Sequence, residues 1–124
     1  MAVVVHVNRA AQLVTSTFSG RLVLADFIDG REQTMKNAAG LTTFRHLLDL
    51  RSVAEVGLDA AQLDAIAAMP PLFAPNALQV VVALDGTPTY GAVRSYKRRD
   101  GQPRNVHLVT TMEAARALLG VDEL

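Results

Sequence analysis

Leu78-Gln79-Val80-Val81-Val82-Ala83-Leu84 is the stretch on which the fold turns. It is short, almost wholly apolar, and β-branched at Val80, Val81 and Val82. Such a run suits an interior parallel strand buried on both faces rather than a strand with one wet side. Asp85-Gly86 then turns the chain. Thr87-Pro88 reads as the N-cap and first residue of a helix. That helix carries Val93 and Tyr96 inward and ends in a basic cluster near Asp100-Gly101. Arg104 to Val109 follows as another strand.

The same alternation extends in both directions. Upstream, Thr42 to Leu50 ends in Leu47-Leu48-Asp49-Leu50 and reads as a strand. Leu58-Asp59-Ala60-Ala61-Gln62-Leu63 then sets Asp59 at an N-cap and Gln62 at N3. This is a capping box, with Leu58 and Leu63 as a hydrophobic staple. The helix runs through Ile66 and Ala67 until Pro70-Pro71 ends it. Downstream, Thr110 and Glu113 suggest a second capping box. Met112, Ala115, Leu118 and Leu119 line the inner face of that last helix, and Gly120 stops it.

Further upstream, Leu24, Phe27, Ile28, Arg31 and Met35 share one face of a predicted helix over Leu24 to Ala38. Gly30 inside it costs about 1 kcal/mol relative to alanine, which a close helix–sheet contact would explain. Ala2 to Asn8 and Gln12 to Ser19 are strands, and the short Arg9-Ala10-Ala11 gap makes them an antiparallel hairpin. The predicted order is ββαβαβαβα. It describes one α/β domain over residues 1–124, with a five-stranded mixed sheet, right-handed helical crossovers and flanking helices.

Bulk properties narrow the functional classes. The chain has 124 residues and an apolar fraction of 50%, enough for a core without staples. Without cysteine there is no disulfide, thiolate metal site or cysteine nucleophile, which fits a cytoplasmic protein. The N-terminal Met-Ala-Val-Val-Val-His-Val reads as neither signal peptide nor membrane span. Twelve basic residues balance twelve acidic ones, so no net charge directs the chain to nucleic acid or a membrane.

Catalytic patterns are missing. His6, His46 and His107 all fall in predicted strands without metal-ligand spacing. There is no phosphate-cradling glycine loop and no Gly-x-Ser-x-Gly elbow. The distinctive stretch is Tyr90-Gly91-Ala92-Val93-Arg94-Ser95-Tyr96-Lys97. There Tyr90, Arg94 and Lys97 share a helical stripe, and Gly91 would permit close approach to the sheet. Leu72 and Phe73 lie in the Pro-rich segment Pro70 to Asn76, and are the candidate interface residues of a homodimer.

Ser19-Gly20, Leu48-Asp49-Leu50-Arg51, Tyr90-Gly91-Ala92-Val93-Arg94 and the closing Glu113-Ala114-Ala115-Arg116-Ala117-Leu118-Leu119 together carry a resemblance. The chain resembles, over nearly its whole length, the SpoIIAA-like group of small bacterial proteins, relatives of the STAS domain. The resemblance implies a mixed sheet flanked by helices and, for most members, no assigned function. STAS anti-sigma-factor antagonists carry a phosphorylatable serine at the start of the second helix. Here that junction reads Val56-Gly57-Leu58-Asp59-Ala60, with no hydroxyl to modify.

The expected function is therefore a non-catalytic protein-interaction or ligand-binding module. The alternatives are a carrier of a small anionic or acyl ligand and an enzyme with an unrecognised site. No cofactor or metal is expected. In open α/β sheets ligands collect beyond the carboxyl ends of the parallel strands. That places a small-anion site at Arg51, Thr87 and Tyr90, with Arg94 one helical turn further on.

Overall fold

The computed structural model describes residues 3–37, 40–74, 76–99 and 105–122. The elements are β1 (Val3–Asn8), β2 (Leu13–Leu22), α1 (Leu24–Asn37), β3 (Arg45–Val56), α2 (Ala60–Ala68), β4 (Gln79–Val82), α3 (Pro88–Arg99), β5 (Val106–Val109) and α4 (Met112–Leu119). This is the predicted ββαβαβαβα order. The expected helix end at Ala38 and strand start at Arg104 lie outside the described residues, as do Asp100 and Gly101.

The five strands form one sheet in sequential order, β1 to β5. β1 and β2 are antiparallel, and β2 through β5 run parallel. The topology dictates the layers. Each crossover steps the same way across the sheet, so right-handed connections put α1, α2 and α3 on one face. α4 follows the last strand, makes no crossover, and folds back on the other face. Alternating side chains divide accordingly. Phe18, Leu50, Val81 and Ala83 pack with Phe27, Tyr90 and Val93 on the three-helix face. Leu13, Leu47, Val80 and Val82 pack with Ala115 and Leu119 on the α4 face.

Capping follows the sequence closely at α2, where Asp59 accepts from the Gln62 backbone N–H at 2.8 Å and Gln62 Oε1 accepts from the Asp59 N–H at 3.1 Å. α4 begins differently. Its N-cap is Thr111, one residue past the expected Thr110, and the Thr111 hydroxyl accepts from the Ala114 N–H. Gly120 closes α4 in the left-handed conformation.

Other expectations need correction. β3 runs on past Leu50 to Val56, since the extended end of β2 supplies partners for it beyond an irregularity near Thr17. The buried stripe of α1 is Phe27, Gly30 and Thr34, while Ile28 and Met35 are 44% and 50% exposed. Gly30 sets this rotation: an added Cβ would stand 3.4 Å from both Phe18 and Val3, so the helix rests on the sheet at that point. Gly91 has no such role, for an added Cβ would meet nothing within 4 Å.

Two polar side chains tie the periphery together. Arg45, opening β3, donates to the carbonyls of Leu119 and Ala11 and so links the end of α4 to the β1–β2 hairpin. Gln33 reaches from α1 to the edge of β1, accepting from the Val5 N–H at 3.2 Å and donating to the Val3 carbonyl at 3.3 Å.

Candidate functional site: an apolar cavity under three helices

The two faces are filled differently. The α4 face closes on itself, with Leu47, Val80, Val82 and Ala115 at zero exposure. On the opposite face a cavity of about 170 Å³ remains between the sheet and α1, α2 and α3. Phe18, Leu48 and Val81 form part of its floor; Phe27, Ile66 and Ala92 come from the three helices. The lining is predominantly apolar, as small-molecule pockets are.

A few polar groups interrupt it. Ser16 and His46 stand on adjacent parallel strands with their side chains on the cavity face, and the serine hydroxyl lies 3.0 Å from His46 Nε2. Gln79 sits beside His46 in the β3–β4 register. The His46 ring stacks on Phe73, with centroids 4.7 Å apart and planes 27° apart. Burial lowers the His46 pKa to about 4, because charging the ring there would sacrifice its hydration. At neutral pH the imidazole is uncharged and can both donate and accept. Thr34 also lines the space, but its hydroxyl is committed to the Gly30 carbonyl at 2.8 Å. Arg31 is half-buried against the cavity, and no carboxylate pairs with it among the described residues.

The residues expected to bind an anion are distributed over separate environments. Arg51 lies against Asp49 on the α4 side of β3. Its Nε and Nη2 donate to the two carboxylate oxygens at 3.0 and 2.9 Å, and its backbone N–H also donates to that carboxylate. The hydrogen bond to Asp49 raises the Arg51 pKa further above its ordinary value. Thr87 caps α3, accepting from the Tyr90 N–H at 3.3 Å and donating to the Leu84 carbonyl at 2.6 Å. Tyr90 packs on the three-helix face, across the sheet from Arg51, and Arg94 is exposed. The structure does not bring these four together around a common space.

Leu72 and Phe73 are also placed otherwise than on an exposed loop. Phe73 is only 6% exposed, and both residues belong to a small cluster with Val14 and Ala77 at one end of the sheet. The loop folds back over the core, where the Phe73 ring covers His46. The Ser16–His46 pair escaped the sequence reading, although a parity signal existed. Ser16 alternates in step with inward Val14 and Phe18, and His46 with inward Leu48 and Leu50.

An uncharacterised protein of the DUF3478 family from Shewanella loihica PV-4, which has a SpoIIAA-like fold, superposes on this chain with a TM-score of 0.62. The two share 16% identity, and the match covers 95% of this chain and 94% of the other. The chain thus has a SpoIIAA-like fold. No protein-family model and no curated protein matches its sequence. Among the described residues no helix is long and apolar enough to cross a membrane, and no cluster of histidine and carboxylate side chains suits a metal ion.

Proposed function

We propose that this protein is a non-catalytic binding module that takes a small, mostly apolar molecule into the cavity beneath α1, α2 and α3. The observation that carries this reading is the space itself: about 170 Å³ left open in one layer of a domain whose other layer is closed. An apolar cavity of about 150 Å³ is large enough to accept benzene. The functional class is that of the carrier expected as an alternative from the sequence, which holds its ligand against the sheet.

A catalytic reading has less support. The Ser16–His46 contact has the form of a nucleophile and base, but an imidazole with its pKa near 4 is a poor base at neutral pH.

NMR titration with toluene, indole and octanoate tests the proposal. Shifts should centre on Phe18, Val81 and Ala92, and the melting temperature should rise with ligand concentration as it does when a ligand binds only the folded state. Ala92→Leu, which fills part of the space, should abolish the shifts while the domain stays folded. A titration in which none of the three perturbs these amides would refute it.

A further inference from the structure

Resting on that binding reading, we infer that the cavity selects an aromatic monocarboxylate with a hydroxyl on its ring, the carboxylate held by Arg31 and the hydroxyl by the Ser16–His46 pair. Size comes first. The space accommodates one ring with small substituents, and a long acyl chain exceeds it. The walls favour a flat ligand: Phe18 and Phe27 form a tilted pair at 5.1 Å, and His46 stacks on Phe73. Aromatic faces of this kind gain from offset or edge-on packing against another ring.

The polar groups assign the two ends. Arg31 lies on the α1 face that carries Phe27 and Thr34 into the cavity, and no protein carboxylate compensates its half-buried charge among the described residues. A guanidinium there matches a ligand carboxylate with two parallel hydrogen bonds. Ser16 and His46 differ in kind. They are neutral and bonded to one another, and between them they retain capacity to donate and accept. That chemistry suits an uncharged hydroxyl and offers no charge to an anion. The carboxylate therefore belongs at Arg31 and the hydroxyl at the sheet.

Calorimetric titration at pH 7 with 4-hydroxybenzoate, benzoate, phenol, octanoate and toluene separates the terms. We expect 4-hydroxybenzoate to bind at least about tenfold more tightly than benzoate or phenol, and octanoate more weakly than benzoate. Arg31→Gln should reduce 4-hydroxybenzoate to the level of phenol and leave phenol unchanged. Ser16→Ala should reduce it to the level of benzoate. Because Ser16 is buried, Arg31→Gln at the half-exposed position is the decisive variant, with its fold checked by circular dichroism. Octanoate binding best, or Arg31→Gln leaving 4-hydroxybenzoate affinity intact, would overturn the inference. If toluene binds but 4-hydroxybenzoate binds no better, this inference alone fails. If nothing binds, toluene included, the cavity reading fails with it.

Discussion

The two layers on either side of the sheet solve one packing problem with different results. Against α4, a single short helix meets Leu47, Val80 and Val82, and Ala115 lets it sit close to the strands. Against α1, α2 and α3, three helices must share a wider face. Gly30 brings α1 down onto Phe18 and Val3, but no glycine contact of that kind brings α2 or α3 down. The volume left between them is the cavity. One layer thus serves mainly stability, and the other gives up some packing in exchange for an interior.

The largest effect should come from the closed layer. Leu47→Ala removes a side chain at zero exposure and should cost about 2–5 kcal/mol in urea unfolding. Loss of less than about 1 kcal/mol would show that this layer is looser than its burial implies.

Acid should act through the open layer. The folded state holds the His46 pKa at about 4, against 6.5 in the unfolded chain. Between these values the unfolded state binds the extra proton, so stability falls as pH falls. The contribution is fully present above pH 6.5 and lost on acidification through 4, up to about 3 kcal/mol in all. Unfolding curves at several pH values for the wild type and His46→Gln should diverge in slope over this window. Parallel slopes would place His46 in water.

A pair of identical insertions sharpens the contrast. Ala115→Leu on the α4 side should cost about 1–3 kcal/mol through overpacking. Ala92→Leu, facing the cavity, should cost nothing measurable or stabilise slightly. Equal costs in thermal melts would erase the distinction between the layers. A further change lies outside both layers: Gly91→Ala, at an exposed position of α3, should stabilise by up to about 1 kcal/mol in thermal melts from helix propensity alone.

The sequence was informative where the physics is local. The apolar run at Leu78 to Leu84 marks an interior strand, now seen between β3 and β5. Asp59 and Gln62 cap as their spacing dictates. It misled where a long-range contact decides orientation. Ile28 and Met35 follow the helical period, yet Gly30 turns the other stripe inward. The cavity was illegible for a related reason. It is the residue of how three helices sit side by side, and no single residue encodes it. Ser16 and His46 are thirty residues apart and meet only once β2 and β3 are in register. The pairing of Arg51 was legible as an alternative to the anion site, since Asp49, two positions away, has the same parity and same-face neighbours on one strand pair readily.

Gln33 carries a consequence for how copies of this chain can meet. The outer edge of β1 is a row of backbone groups that another strand could copy, the usual route to uncontrolled assembly. The Gln33 amide occupies the Val5 N–H and the Val3 carbonyl much as a neighbouring peptide group would. A recruiting strand must therefore displace a side chain held by its own helix before its first rung can form. β5 forms the other border of the sheet, only from Val106 to Val109, and it has no comparable plug among the described residues. Growth of the sheet by strand addition at β1 therefore meets a barrier that a single Gln33→Leu exchange would remove.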